Sequence, residues 1–86
     1  MIKHYQTAIV TGASHGIGPL IARALAKEGI NLVLAARSVL ELEEVAADIR
    51  TTGAEVLAVP TDVTDREARS ALVTTAERTF GAIDVL

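Results

Sequence analysis

Short apolar runs alternate with helical patterns along the chain, and a glycine follows each helical pattern. The apolar runs at residues 7–10, 31–36, 55–59 and 83–86 have the length of β-strands. The second run is almost continuously apolar, as strands are when both faces of a parallel sheet are covered. Alternating strands and helices predict parallel strands joined by crossover helices. We therefore expect an α/β protein with the order β-α-β-α-β-α-β.

Three helices are predicted between these runs. In the first, Ile17, Ile21 and Leu25 recur every four residues with Ala24 beside them, which predicts that they form the buried face. The second helix opens with a capping box that begins at Ser38 and the third with one that begins at Thr64. The expected core positions are Leu42, Val45, Ala46 and Ile49 in the second helix, and Ala68, Leu72, Ala76 and Phe80 in the third.

Composition narrows the class of protein. The chain has 86 residues, of which 50% are hydrophobic and 2% aromatic, so one domain with a thin aliphatic core is expected. The lack of cysteine excludes disulfides and thiolate metal sites. The net charge is -3 and the basic residues are scattered, which argues against nucleic-acid binding. With neither a signal-peptide pattern nor a membrane-spanning run, we expect a soluble, cytoplasmic protein.

The motif that points to chemistry follows the first strand directly. Residues 11–18 read Thr-Gly-Ala-Ser-His-Gly-Ile-Gly and lead into the first helix. Gly12 allows a sharp turn, Gly16 allows a pyrophosphate to approach the backbone, and Gly18 allows close packing of the helix. The free N–H groups at the helix start then face the phosphates. The strand-to-helix context therefore favours a nucleotide phosphate site over ordinary turn glycines.

The spacing Gly-x-x-x-Gly-x-Gly resembles the cofactor loop of the short-chain dehydrogenases/reductases. The resemblance continues through residues 34–38, 61–64 and 80–86, so it covers nearly the whole chain. It implies a doubly wound parallel-sheet Rossmann fold, of which residues 1–86 are a partial NAD(P)-binding domain truncated in the fourth strand. It also implies an oxidoreductase, similar to 3-oxoacyl reductases, that transfers a hydride between NADP(H) and a carbonyl or secondary alcohol and is a homo-oligomer when complete.

The resemblance assigns cofactor-binding roles to ten positions. Ser14 and His15 match phosphate-contacting positions, although each could instead cap the loop and helix. Asp62 and Val63 resemble the adenine-binding pair. The alternative, an Asp that merely ends a strand, is disfavoured because Thr64 is the expected helix cap. The full set is Gly12, Ser14, His15, Gly16, Ile17, Gly18, Arg37, Ser38, Asp62 and Val63.

Two residues at the end of the second strand indicate the cofactor. An Asp there would accept a hydrogen bond from the ribose 2′-OH of NAD, but this chain has Ala36. The guanidinium of Arg37 can pair bidentately with a 2′-phosphate, so NADP is expected, although a surface Arg can also be merely solvated. Ser38 could donate to the same phosphate or serve only as the helix cap.

No catalytic residue and no metal ligand is assigned in this chain. The family's Tyr-x-x-x-Lys pair, Ser and Asn lie further along than these residues, and Tyr5 precedes the first strand. His4 and His15 do not form a metal-ligand pattern. We expect the isolated chain to be inactive and, with an unpaired strand edge, to elute as an oligomer or aggregate. The alternative is a stand-alone nucleotide-binding or interaction module that pairs by strand addition.

Overall fold

The computed structural model of the protein describes residues 7–81. Strands and helices alternate strictly over this range, which confirms the predicted α/β order, and the strand bounds agree with the predicted ones to within one residue. The predicted fourth strand at residues 83–86 lies outside the described residues. The elements are β1 (Thr7–Thr11), α1 (Ile17–Lys27), β2 (Asn31–Ala36), α2 (Val39–Arg50), β3 (Val56–Pro60) and α3 (Arg66–Phe80).

The described strands form one parallel sheet in the order β1-β2-β3. Val10 pairs with Leu34, which in turn pairs with Ala58, so the strands run in step. Residues 32–36 of β2 are all buried, as the continuous apolar run predicted. Because parallel strands point the same way, the loops that follow them meet at one edge of the sheet.

The hydrophobic core has a layer on each face of the sheet, because successive strand side chains point to opposite faces. One layer joins Val10 and Leu34 to residues of α1 and α2. The other joins Ile9 and Val33 to Leu72 and Ala76 of α3. Helices therefore cover both faces, and the predicted doubly wound arrangement is confirmed for the described part of the chain. Within residues 7–81, no helix has the length and apolar character that a membrane span requires.

The buried face of α1 is not the one that the sequence pattern predicted. Ile17 is 71% exposed and Ile21 46% exposed, Ala24 is exposed, and Leu25 is only half-buried against the core. A face of small residues lets the helix axis approach the sheet more closely than a face of large aliphatic residues would. The residues that α1 buries are Gly18, Ala22 and Ala26.

Gly18 makes the closest approach between α1 and the turn that follows β1. A Cβ atom on Gly18 would overlap the carbonyl oxygen of Gly12 and lie 2.9 Å from its carbonyl carbon. It would also lie 3.0 Å from Cα of Ala13, which is completely buried. Both neighbours are backbone atoms, which cannot rotate away as a side chain can. The start of α1 is therefore held against the β1–α1 loop by a contact that only glycine permits.

The helices α2 and α3 bury the predicted faces, but their caps differ in one respect from the prediction. Ser38 caps α2 as expected, since its Oγ accepts a hydrogen bond from the backbone N–H of Glu41 at 3.4 Å. The cap of α3 is Asp65, whose Oδ1 accepts from the N–H of Glu67 at 2.9 Å. The prediction that Thr64 caps α3 was wrong, because its hydroxyl and N–H are both bonded to the preceding loop.

Polar contacts hold the helices of one face in place. Arg50 at the end of α2 donates from Nε and Nη2 to the carbonyl oxygen of Val56, at 3.1 and 2.8 Å. This pair of bonds fixes the turn between α2 and the start of β3. An ion pair between Arg23 of α1 and Asp48 of α2 links the two helices. These contacts tie α2 to the start of β3 and α1 to α2.

Replacing Gly18 with alanine tests the close approach of α1. Alanine is the better helix former by about 1 kcal/mol, but the Gly18→Ala variant must overpack a backbone contact. We expect its free energy of unfolding, measured by urea denaturation of the full-length protein, to fall by about 2 kcal/mol. Ser70→Ala on the exposed side of α3 is the control and should be neutral or slightly stabilising. Equal stability of Gly18→Ala and the wild type would contradict the contact.

Candidate functional site

A cavity of about 270 Å³ lies at the sheet edge where the three strands end. Its walls come from the loops that follow β1, β2 and β3, which is where doubly wound sheets bind ligands. Six of the ten predicted cofactor residues line it, and Asp62 adjoins it through its contact with Arg37. The lining residues are Gly12, Ser14, His15, Ala36, Arg37, Ser38, Thr61 and Val63.

The glycine loop forms the first wall. Gly12 and Gly16 have φ angles of 64° and 73°, a left-handed conformation that favours glycine. Gly16 is the N-cap of α1 and supplies no side-chain hydrogen bond, so the N–H groups of the first helical turn have no side-chain cap. The first turn also contains no acidic residue. The positive end of α1 is therefore left uncompensated next to the cavity.

Ser14 and His15 extend this wall toward α2. The Oγ of Ser14 lies 3.0 Å from Nδ1 of His15, and the same ring nitrogen lies 3.7 Å from Oε2 of Glu41. The His15 side chain is 83% exposed. Neither Ser14 nor His15 caps α1, so the alternative of a purely capping role for the helix is not supported. A contact with phosphate remains a prediction for both residues.

The second wall carries the charge that distinguishes this cavity. Arg37 follows β2, and its side chain is 78% exposed. Its Nη2 lies 3.5 Å from Oδ2 of Asp62, in the loop after β3. Ala36 is buried and places a methyl group, rather than a carboxylate, at the end of β2. The guanidinium therefore has a carboxylate partner in the neighbouring loop, and its exposure leaves it accessible to an anion.

Asp62 is held in its loop by Thr64. Its Oδ1 accepts hydrogen bonds from the hydroxyl of Thr64 at 2.6 Å and from the backbone N–H of Thr64 at 3.0 Å. These bonds, with a smaller contribution from Arg37, lower the pKa of Asp62 below its usual value, against a small opposing effect of desolvation. The expected capping role of Thr64 was the reason for disfavouring an Asp that merely ends a strand, and that reason was wrong, because Thr64 bonds to Asp62 and Asp65 caps the helix. Thr64 engages one carboxylate oxygen of Asp62 and leaves Oδ2 facing Arg37.

Two further residues position the third wall and were not predicted as site residues. Thr61 is buried, and its N–H donates to the carbonyl oxygen of Ala36 at 2.8 Å while its hydroxyl donates to that of Val59 at 2.9 Å. Arg69 of α3 donates from Nη1 to the carbonyl oxygen of Val63 at 2.6 Å. The loop is thus tied to β2 at one end and to α3 at the other.

A larger cleft, of about 530 Å³, lies at the opposite edge of the sheet. It is formed where α1 and α2 end and where β2 and β3 begin, with Lys27, Asn31 and Glu55 among its lining residues. Helix carboxyl ends carry partial negative charge and free carbonyl groups, which disfavour phosphate. The smaller cavity, beside a glycine loop and a helix N-terminus, is therefore the candidate nucleotide site.

Comparison with known proteins gives a family for the chain. The family model described as short chain dehydrogenase matches residues 6–86. The glycine betaine reductase ATRR of Emericella nidulans is 42% identical to the chain over 81 residues, which are 94% of this chain and 6% of that protein. The chain thus matches a small part of this much longer relative.

Solved structures match the fold closely. An alcohol dehydrogenase of the archaeon Thermococcus sibiricus, complexed with 5-hydroxy-NADP, has a TM-score of 0.90 and 40% identity, over 95% of this chain and 36% of that one. A NAD+-bound xylitol dehydrogenase has a TM-score of 0.90 and 36% identity, over 93% of this chain and 31% of that one. The chain therefore spans about a third of these structures. Fold, glycine loop and family match agree, and the chain belongs to the short-chain dehydrogenase/reductase family.

Proposed function

We propose that this chain is the NADP-binding part of a short-chain oxidoreductase that transfers a hydride between NADP(H) and a carbonyl or secondary alcohol. The observation that carries the proposal is the cavity at the carboxyl edge of the sheet, which is lined both by Arg37 and by residues of the glycine loop. The cofactor, when bound, supplies or accepts the hydride. The residues of this chain bind and orient its adenosine and pyrophosphate ends.

The pyrophosphate is proposed to lie against the glycine loop. Gly16 leaves open space where a side chain would otherwise stand, since within residues 7–81 no atom outside Gly16 and its two chain neighbours lies within 4 Å of its Cβ position. The N–H groups at the start of α1 donate to the phosphate oxygens, and the helix dipole favours their negative charge. Ser14 adds a side-chain donor for the pyrophosphate from the cavity wall, and the exposed Ile17 supplies apolar contact to the cofactor. His15, which lies beside Glu41 of α2, is instead directed toward the 2′-phosphate. Gly18 acts indirectly by holding the helix start in this position.

Cofactor choice is proposed to depend on the end of β2. The solved structures that match the chain include one with a 5-hydroxy-NADP and one with NAD+, so the choice between cofactors has to be argued from the residues of this chain. Ala36 removes the acceptor that a ribose 2′-OH would need, and Arg37 offers a guanidinium to a 2′-phosphate. Ser38 can also contribute, because its oxygen accepts from Glu41 while its hydroxyl hydrogen stays available to donate.

The adenine ring is proposed to lie beside the loop after β3. Since Thr64 engages Oδ1 of Asp62, the remaining oxygen, Oδ2, is the acceptor for the adenine amino group. Val63 is 41% exposed and offers its side chain to the ring. Its carbonyl is bonded to Arg69, so the backbone of the loop is fixed before the nucleotide arrives. Such preorganisation lowers the entropic cost of binding.

The rest of the activity is proposed for the whole protein. The chain spans about a third of the solved structures that it matches, and no catalytic residue is assigned within it. We place the nicotinamide contacts, the proton donor and the substrate pocket in the remaining part of a longer enzyme, which acts as a cytoplasmic homo-oligomer. Residues 1–86 are then a partial dinucleotide-binding domain. Steady-state reduction by the isolated 86-residue chain would overturn this division of roles.

Exchanging the residues at the end of β2 should reverse cofactor preference. In the full-length protein, Ala36→Asp combined with Arg37→Val supplies an acceptor for the ribose 2′-OH and removes the partner of the 2′-phosphate. We expect the dissociation constant for NADH divided by that for NADPH, both measured by nucleotide fluorescence, to fall by about 10- to 100-fold. The control, Arg78→Val on the exposed part of α3, should leave the ratio unchanged. An unchanged ratio in the double variant would contradict the role of Ala36 and Arg37 in cofactor choice.

Removing the hydroxyl of Thr64 should raise the pKa of Asp62. The Thr64→Val variant loses the stronger of the two hydrogen bonds that stabilise the ionised carboxylate, and a carbon-13 NMR titration reports the carboxyl directly. A lowered pKa in the folded state stabilises the fold above the pKa of the unfolded chain, and that stabilisation is lost as pH falls through the folded value. The difference in stability between wild type and variant should therefore be present at neutral pH and vanish in acid.

Thr74→Val on α3 is the matched control for this substitution, because Thr74 is exposed and distant from Asp62 in the chain. The titration curve of Asp62 measured in the Thr74→Val variant should coincide with that measured in the wild type. If Thr64→Val also leaves the curve unchanged, the hydroxyl of Thr64 does not stabilise the carboxylate.

A further inference from the structure

A carboxylate outside the predicted cofactor set lies beside the cavity wall that carries His15. Glu41 lies in the first turn of α2, and its N–H is fixed by the cap at Ser38. In a full capping box its carboxylate would return to the N–H of Ser38, but no such bond forms within residues 7–81. The carboxylate lies instead 3.7 Å from Nδ1 of His15, on the cavity wall.

The net charge of the ionisable side chains at and around His15 depends on whether His15 is protonated. Arg37 and Asp62 form one pair across the cavity, with a summed charge of zero. Glu41 and His15 form the other, and Ser14 is the uncharged neighbour of the ring. Histidine is the side chain that changes charge between about pH 5 and 8. The four ionisable groups therefore sum to -1 when His15 is neutral and to zero when it is protonated.

This change of charge matters for a phosphate more than for a hydroxyl. A phosphomonoester carries about 1.5 to 2 negative charges near neutral pH, whereas a ribose 2′-OH carries none. An ionised Glu41 repels the phosphate and competes with it for the His15 ring. Protonation of His15 removes that net repulsion and adds a donor on the cavity side. Protonation of His15 should therefore strengthen the binding of nucleotides that carry the 2′-phosphate more than the binding of those that lack it.

We propose that Glu41 restrains, and protonation of His15 promotes, the binding of a 2′-phosphorylated adenine nucleotide, so that the preference for NADP over NAD is greater when His15 is protonated than when it is neutral. The inference rests on the proposed function, because it concerns the regulation of the same cavity. It makes Glu41 a residue that determines specificity without being required for the glycine loop or for the adenine contacts.

Two small nucleotides isolate the additional phosphate. Adenosine 2′,5′-bisphosphate and adenosine 5′-monophosphate differ only in the 2′-phosphate, and isothermal titration calorimetry on the full-length protein at pH 6, 7 and 8 gives the ratio of their dissociation constants. The 2′-phosphate itself loses charge in this range, so the His15→Gln variant supplies the baseline. Glu43→Gln is the matched control for Glu41→Gln, because it removes the same charge about 200° further around α2.

The proposal predicts a definite pattern of ratios. Relative to His15→Gln, the wild-type preference for the bisphosphate should rise by about threefold to tenfold between pH 8 and 6, the size expected for one charge at a solvated site. At pH 8, Glu41→Gln should raise the preference by a similar factor, while Glu43→Gln leaves it within about twofold, as a distant screened charge should. Thermal melts of the variants verify that each remains folded.

The outcomes separate the two proposals. If both nucleotides bind but the wild type follows His15→Gln at every pH, or Glu41→Gln behaves like Glu43→Gln, the role of Glu41 and His15 is overturned while the nucleotide site stands. If neither nucleotide binds, the proposed function fails, and this inference fails with it.

Discussion

The contact between Gly18 and the Gly12–Ala13 backbone is the constraint on which the rest of the site depends. It leaves no room for a single carbon atom, so α1 must begin directly against the turn that follows β1. The small residues Ala22 and Ala26 continue this close approach along the helix. Large aliphatic side chains are consequently turned away from the sheet, and the uncapped N–H groups of α1 are brought to the cavity. The same contact thus governs the packing of α1 and the position of the proposed phosphate site.

The architecture of this chain was predictable because β1 and β2 are almost entirely buried and the helices are bounded by clear signals. The continuous apolar run of β2 and the Ser38 cap of α2 are both formed as expected. The face of α1 was not predictable from hydropathy. Two stripes share the four-residue period, one that starts at Ile17 and one that starts at Gly18, and hydropathy favours the larger side chains. The close packing of Gly18 against Gly12 determines that the stripe of small residues, rather than the stripe of large ones, faces the sheet.

The positions of the candidate site followed from the sequence, but the partners of its side chains did not. Arg37 falls at a strand end whatever the details of packing, so its presence at the cavity could be predicted. Thr64 and the adjacent Asp65 could each cap α3. Because Asp65 is the cap, the hydroxyl of Thr64 is left to bond with Asp62. The approach of Glu41 to His15 joins the first turn of α2 to the loop after β1, two segments that are distant in sequence. Contacts of this kind depend on how the loops fold at the shared edge.

Each wall of the cavity belongs to a separate strand, and the strands are held in step by the pairing of Val10 with Leu34 and of Leu34 with Ala58. A side-chain change in one loop therefore alters one side of the candidate site, while the strand pairing keeps the backbones of the other two walls in register. For evolution, this means that cofactor preference can drift through residues after β2 while the loop after β1 stays the same. For the laboratory, it means that chimaeras with family relatives should join best at Gly29 or Gly53, where one strand–helix unit has ended and the next has yet to begin.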